Sequence, residues 1–77
     1  MKDFVEYLAR RLVDDPAAVR VHQIDSDKTT IFELTVGKED VGKIIGRSGK
    51  TVNAMRTLLT AVSVKEAGKR SMLEVND

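Results

Sequence analysis

The sequence is poor in the residues that cross-link small proteins. Its 77 residues contain no cysteine and one histidine, His22, which excludes disulfides, thiolate metal sites and histidine clusters that bind zinc. No apolar run approaches the roughly 20 residues of a membrane-spanning helix, and the N-terminus has no signal-peptide core. We therefore expect one cytoplasmic domain over residues 1–77, with no cofactor and no metal. Since a chain this short buries only about 60% of its unfolded surface, self-association is the expected supplement to its core.

Charge is distributed unevenly along the chain, although the net charge is only +1. Residues 42–70 contain seven basic residues and one acid, Glu66, a net charge of +6. The rest of the chain has six basic and eleven acidic residues, a net charge of −5. One basic surface on an otherwise acidic protein is typical of a polyanion-binding site. Solvated helix faces that never converge would give the same pattern, so charge alone leaves both interpretations open.

Hydrophobic periodicity predicts six elements in the order α-β-β-α-α-β, at about residues 2–13, 19–25, 29–36, 38–45, 50–67 and 70–75. The first helix ends before Pro16, which disfavours a helical conformation in the preceding residue, and Gly68 is a good stop for the long helix. The long excursion between the second and third strands allows those two to run parallel. The predicted fold class is α+β, with helices packed on one face of a three-stranded mixed sheet.

For two of these elements the pattern predicts which residues share a face. In the second strand, alternation predicts one face made of Thr30, Phe32, Leu34 and Val36. In the long helix, the predicted buried residues are Val52, Met55, Leu58, Leu59 and Val62.

The most informative segment is the glycine loop, Gly46-Arg47-Ser48-Gly49. Its two glycines let another backbone approach closely. The loop also opens onto the N-terminus of the long helix, where unpaired N–H groups and the helix dipole favour a phosphate. Arg47 and Lys50 add positive charge beside it. The flanking residues Val41, Ile44, Ile45 and Val52 are aliphatic, and some of them could line a groove on which bases lie.

The run from Ile44 to Val52 resembles the signature of the KH domain, whose GxxG loop clamps about four backbone nucleotides of a single strand. The predicted order of elements resembles the type II, prokaryotic version of that fold. Four further segments extend the likeness over nearly the whole chain, to the family of small stand-alone bacterial KH proteins: Leu12–Pro16, Val19–Val21, Asp40–Gly46 and Met55–Leu59.

The resemblance implies a protein that binds single-stranded RNA and has no catalytic activity. The implied RNA-binding residues are Lys43, Ile44, Ile45, Gly46, Arg47, Ser48, Gly49, Lys50 and Val52. The family also implies RNA chaperone activity, a homodimer or a heterodimer with a larger KH-containing partner, and a role in cell elongation and cell-wall regulation. Because Phe4, Tyr7 and Phe32 are the only aromatic residues, base stacking on rings is not expected to be the main source of affinity.

An enzymatic interpretation fits the sequence poorly. Gly49-Lys50-Thr51 imitates the end of a P-loop, but the Walker pattern requires a glycine at the position of Ile44 and a strand before the loop. His22 has no serine, cysteine and carboxylate set around it in the sequence that would indicate nucleophilic catalysis.

Two features of the long helix remain open. Ala54, Ala61 and Val64 form a second stripe of small residues, which is either ordinary core or a dimer seam. Basic residues near its end, Lys65, Lys69 and Arg70, either complement the helix dipole or extend the RNA path. The alternative function is accordingly a protein-interaction and dimerisation module whose glycine loop is only structural.

Overall fold

The computed structural model describes residues 1–76, without the side chain of Ala67, and its elements follow the predicted order. The helices are α1 (Lys2–Leu12), α2 (Val41–Ile45) and α3 (Lys50–Ala67), and the strands are β1 (Arg20–Asp25), β2 (Thr29–Thr35) and β3 (Arg70–Asn76). Short 3-10 turns cover Pro16–Ala18, Lys38–Asp40 and Arg47–Gly49. The predicted α+β class and the α-β-β-α-α-β order of a type II KH fold are confirmed. The predicted helix over 38–45 is divided, because a 3-10 turn precedes α2.

The three strands form one mixed sheet in the order β1-β2-β3. β1 and β2 pair as an antiparallel hairpin, with Val21 opposite Leu34. β2 and β3 are parallel, with Phe32 beside Leu73, as expected when two helices separate paired strands. β3 is therefore an edge strand, and it follows α3 directly in the chain.

The core lies between one face of this sheet and the helices. Phe32 and Leu34 of β2 are fully buried, which confirms the predicted alternation of that strand. The helices supply further buried side chains: Val5 and Ala9 from α1, Ile44 from α2, and Val52, Met55 and Leu59 from α3. The opposite face of the sheet is open to solvent, as the exposed Ile24 and Met72 show.

The predicted buried face of α3 is wrong at one position. Leu58 is 49% exposed, whereas Leu59 is 1% exposed. Adjacent residues of an α-helix point about 100° apart, so a helix that buries Leu59 against the sheet turns Leu58 toward solvent. Ser63, one turn after Leu59, is buried on the core side.

Candidate nucleic-acid interface

The glycine loop has a backbone that few residues can adopt. Gly46 (φ 76°, ψ 174°), Ser48 (φ 55°, ψ 29°) and Gly49 (φ 75°, ψ 11°) all have positive φ. Ser48 is the one non-glycine residue of the described chain with this property, and such a conformation is energetically costly for an L-residue. Strain of this kind clusters at binding and catalytic sites. The loop therefore has a fixed, strained shape between two helices.

The two glycines are required for different reasons. A methyl group on Gly46 would lie 2.8 Å from the backbone nitrogen of Thr51, closer than real contacts allow. A methyl group on Gly49 would meet only the Asn53 side chain, at an ordinary 3.6 Å. Gly46 therefore permits the loop to pack against the start of α3, whereas Gly49 is needed only for its left-handed conformation.

The loop directs positive charge toward solvent at the start of α3. Its backbone closes on itself, since the Gly49 N–H donates to the Gly46 carbonyl at 3.2 Å. The side chains of Arg47, Ser48 and Lys50 are exposed. They surround the N-terminus of an 18-residue helix, where the first N–H groups and the dipole attract an anion. This arrangement suits a phosphate.

Lys43, which the sequence analysis placed among the RNA-binding residues, is already paired. Its ammonium group contacts the carboxylate of Asp14 and lies 3.3 Å from Oδ1 of Asp40. These hydrogen bonds, that of Asp14 first, raise the pKa of Lys43. A phosphate would have to compete with both acids for this side chain, so in this structure Lys43 holds α2 in position.

Asp40 is the buried end of the same network. Its carboxylate accepts the backbone N–H groups of Asp14 and Asp15 at 3.2 and 3.1 Å. Burial acts to raise the pKa of Asp40, but these two donors and Lys43 outweigh it, and the pKa lies below its usual value. The carboxylate thereby ties the turn after α1 to the start of α2, just ahead of the glycine loop.

The three aliphatic residues predicted at the site differ in exposure. Ile44 is 0% exposed and Val52 is 4% exposed, because both point into the core beneath the loop. Ile45 is 36% exposed. Burial therefore prevents direct contact between bases and Ile44 or Val52 in this conformation, and leaves Ile45 as the aliphatic surface beside the loop.

Sequence reasoning missed a groove between α3 and β3. Arg56 donates from Nε and from one terminal nitrogen to the Leu73 carbonyl, at 3.3 and 3.2 Å. Its other terminal nitrogen donates to Oδ1 of Asn53 at 3.2 Å, and the Asn53 side chain in turn lies beside Gly49. A chain of contacts thus leads from the glycine loop to the edge strand. The predicted parallel pairing, which leaves the third strand at an edge, was the signal that could have indicated this groove.

The groove contains a cavity of about 390 Å³, lined by Arg56, Thr60, Ser71, Met72, Leu73 and Glu74. We call this first cavity the polar groove. A neighbouring depression of about 360 Å³, lined by Arg56, Thr57, Thr60 and Ala61, adjoins it on α3. A further cavity, of about 400 Å³, lies behind α2 and is lined by four acids, Asp14, Asp15, Glu39 and Asp40, with Gly37, Lys38 and Lys43. Since those acids repel phosphate, the side that suits a polyanion is the α3 side.

The predicted seam residues of α3 lie on its surface. Ala54 and Ala61 are exposed, Val64 is 57% exposed, and Leu58 lies beside them. We call these four residues the apolar stripe. Their exposure rules out the ordinary-core interpretation for the chain as described, while their role as a seam stays a prediction.

No group of three or more acidic or histidine side chains in residues 1–76 has the arrangement of a metal site. No helix in that part of the chain is long and apolar enough to cross a membrane.

Comparison with known proteins agrees with the geometry. A family model described as KhpA/KhpB, KH domain, matches residues 2–75. The chain is similar to the RNA-binding protein KhpA of Chlamydia caviae, with 44% identity over 77 residues that cover 100% of this chain and 99% of the relative. It is also similar to the proteins of the same name from Aquifex aeolicus, with 44% identity over 75 residues (97% of this chain, 94% of the relative), and Clostridium perfringens, with 40% over 75 residues (97% and 99%).

Proposed function

The chain belongs to the KhpA/KhpB family of KH domains, and we propose that it binds single-stranded RNA through the glycine loop without catalysing a reaction. The observation that carries the proposal is the loop backbone, in which three of four residues have positive φ beside the start of α3. The name RNA-binding protein, given to relatives that match nearly the whole chain, supports the same function.

In this proposal the RNA backbone crosses the glycine loop and its bases turn toward the polar groove. Arg47 and Lys50 neutralise phosphates beside the loop. Ile45 offers an apolar surface to the first base, while Ile44 and Val52 act from below by holding the loop in position. Lys43 is proposed to contact RNA only by exchanging Asp14 for a phosphate. Arg56, fixed against the Leu73 carbonyl, stands where the bases enter the groove.

The test is binding of a fluorescent pool of single-stranded RNA to the native protein and to the Arg47→Asp/Ser48→Asp variant. Aspartate tolerates the left-handed conformation of Ser48, so the fold should survive while two carboxylates repel the RNA backbone. We expect affinity to fall at least about 100-fold. For the native protein, affinity should fall steeply between roughly 50 and 200 mM salt, since phosphate contacts release counterions.

The matched control is Arg11→Asp/Ala17→Asp, which changes the net charge equally at two exposed positions in and after α1. This control should bind RNA with nearly native affinity. Equal losses in the two variants would mean that net charge, and not the loop, governs binding. Undiminished binding by the loop variant would show that the loop assignment is wrong.

A second candidate function is supported by the apolar stripe. We propose that this surface forms a homodimer, or a heterodimer with the larger KH-containing partner KhpB, because small chains often need a partner to complete their core. Its limiting case is a pure interaction module whose glycine loop is structural. The salt dependence of binding distinguishes the two functions, since RNA affinity falls strongly with salt concentration and the affinity of an apolar association does not.

We further propose, from family membership, that the protein acts in the cytoplasm as an RNA chaperone and contributes to cell elongation and cell-wall regulation. Chaperone activity predicts faster annealing of complementary RNA strands with the native protein than with Arg47→Asp/Ser48→Asp. The cellular role predicts altered cell length after deletion, restored by the native gene and not by the loop variant. If the loop variant also restored normal cell length, the cellular role would not depend on RNA binding by the loop.

A further inference from the structure

The side chain of Arg56 is held in one orientation by three hydrogen bonds. Its Nε and Nη2 nitrogens donate to the Leu73 carbonyl at 3.3 and 3.2 Å. Its Nη1 nitrogen donates to Oδ1 of Asn53 at 3.2 Å. One partner lies on β3 and the other on the preceding turn of α3, so together they fix the plane of the guanidinium group between the helix and the strand.

Two of the five N–H groups of the Arg56 guanidinium have no partner in residues 1–76. A guanidinium group carries one N–H on Nε and two on each terminal nitrogen. The three hydrogen bonds use one N–H of each nitrogen, which leaves one on Nη1 and one on Nη2. Two such donors on a planar group bind two neighbouring acceptors at once.

The other polar side chains of the polar groove do not offer a comparable donor. The Thr60 hydroxyl donates to the Arg56 carbonyl at 2.9 Å, and the Ser71 hydroxyl oxygen is buried. Glu74 has only acceptors, and because it alternates with the buried Leu73 along β3, its side chain belongs to the open face of the sheet. Among the described residues that line the polar groove, Arg56 is therefore the side chain that presents donors.

Arg56 lies within reach of a strand held by the glycine loop. It follows Gly49 by seven positions, which is about 10 Å along the axis of α3. At the roughly 3.4 Å spacing of a stacked strand, this distance corresponds to about three nucleotides. A KH loop clamps about four nucleotides, so a base of the clamped segment reaches Arg56.

We propose that Arg56 reads one base of the bound strand and selects cytosine or guanine over uracil and adenine. Cytosine presents O2 and N3, and guanine presents O6 and N7, as neighbouring acceptors that bind both remaining N–H groups. Uracil has an N–H between its two carbonyl groups, and adenine has an amino group beside N1 and N7, so neither base offers such a pair. The inference rests on the proposed RNA binding by the glycine loop.

The experiment compares two single-stranded RNA tetranucleotides, one of four cytidines and one of four uridines, because these two bases have the same size. We expect the native protein to bind the cytidine RNA about tenfold more tightly, the scale of one bidentate contact between arginine and a base. In Arg56→Lys the ratio of the two affinities should fall to about one, since an ammonium group keeps the charge but not the planar pair of donors.

A modified base identifies the atoms that are read. A tetranucleotide of pyrimidin-2-one ribonucleosides keeps the O2 and N3 acceptors of cytosine and lacks its amino group. This RNA should bind to the native protein like the cytidine RNA. Binding like the uridine RNA would mean that the amino group is recognised and not the pair of acceptors, which would contradict the role given to Arg56.

Two further variants separate base reading from charge and from the position of the side chain. Arg11→Lys makes the same exchange on the exposed surface of α1 and should keep the native ratio of affinities. Asn53→Ala keeps Arg56 and removes the acceptor that orients Nη1. Its ratio should therefore fall, while the salt dependence of its RNA binding stays native because no charge is removed.

The outcomes separate the inference from the proposed function. Equal affinity of the native protein for the two RNAs, with binding still lost in Arg47→Asp/Ser48→Asp, would overturn the inference and leave the loop site standing. No binding of either RNA by the native protein would overturn both. A preference for the cytidine RNA that Arg56→Lys retains would place the reading of the base elsewhere and contradict the inference.

Discussion

The two exposed sides of α3 differ in chemistry. One side carries Asn53, Arg56 and Thr60, faces β3 and is joined to it by the hydrogen bonds of Arg56 to the Leu73 carbonyl. The other side carries the apolar stripe, which nothing in residues 1–76 covers. The two surfaces adjoin, since Thr60 and Ala61 line one depression, whereas Leu58 and Val64 do not line the cavities beside Arg56. The proposed RNA contact and the proposed chain association therefore use largely separate side chains of one helix.

This difference means that single substitutions should affect one property and spare the other. RNA binding at the polar groove, as proposed, depends on charge and hydrogen bonding, so the RNA affinity should respond to salt and to the loss of individual donors. The apolar stripe depends on burial of apolar surface, at about 25 cal/mol per Å², and should respond to buried charge.

The largest effect is expected from Leu58→Arg, at a stripe residue that does not line the cavities beside Arg56. If the apolar stripe forms the seam of a dimer, this change buries an unpaired charge there, which is strongly destabilising. Self-association should weaken at least about 100-fold, while RNA binding by the folded chain persists. Molar mass across a dilution series, measured by light scattering or sedimentation, gives the result.

The matched control is Met72→Arg, which adds the same charge on β3, at the edge of the polar groove and away from the apolar stripe. It should leave the molar mass unchanged and alter RNA affinity. A native mass series for Leu58→Arg would show that the stripe is not the seam. Identical behaviour of the two variants would mean that the two surfaces are not separable.

The next largest effect concerns the glycine loop. Gly46→Ala should destabilise the fold by about 3 kcal/mol, through positive φ and overlap with Thr51, and should abolish RNA binding. Gly49→Ala should cost only about 1 kcal/mol, for its left-handed conformation alone. Urea unfolding of the two variants and the native protein measures these two losses of unfolding free energy. Equal costs would contradict the different roles assigned to the two glycines.

The predictable features of the molecule are local ones. The bounds of α3, Lys50–Ala67, and the alternation of β2 are those predicted, because helix stops and strand patterning depend on neighbours in sequence. The left-handed Gly68 that ends α3 is of the same kind. The glycine loop was predicted as a site from the same local information, and its role in binding stays a prediction.

The features that sequence reasoning missed depend on contacts between distant parts of the chain. Lys43 is held by Asp14, 29 positions away, and Arg56 by the Leu73 carbonyl, 17 positions away. The rotation of α3 that exposes Leu58 follows from which residues meet the sheet. Periodicity predicts that a helix has a buried face. It does not predict the rotation of the helix closely enough to say which of two adjacent residues, such as Leu58 and Leu59, is buried.

A smaller effect is expected from Arg56→Lys, which keeps the positive charge and removes the planar guanidinium group with its several N–H donors. Lysine cannot donate to the Leu73 carbonyl and to Asn53 together as the guanidinium does. Unfolding free energy should fall by about 1 kcal/mol, and RNA affinity severalfold. The salt slope and the dimer mass should stay native, since neither the charge nor the apolar stripe changes. A reduced salt slope would mean that the Arg56 guanidinium pairs with a phosphate in a geometry that lysine cannot reproduce, and that Arg56 is not only a positioning group.

The smallest effect is a pH dependence on the side of the loop away from α3. Since the pKa of Asp40 is lowered in the folded chain, its carboxylate stabilises the fold above the ordinary value of 3.8 and loses that contribution as pH falls through the lower folded value. The stability difference between the native protein and Asp40→Asn should therefore be constant near neutral pH and shrink in acid below about pH 4.

Thermal unfolding of both proteins between neutral pH and acid gives this difference in stability. The variant Asp27→Asn, in the exposed β1–β2 turn, provides the control for the removal of one carboxylate.

Lys43 responds in the opposite direction. Because its pKa is raised, its contribution to the stability of the fold is present at neutral pH and is lost only in strong alkali, above its ordinary value of 10.5. The two groups thus stabilise the link between α1 and α2 across the whole neutral range. A difference between native and Asp40→Asn that persists undiminished in acid would show that Asp40 acts through its shape rather than its charge.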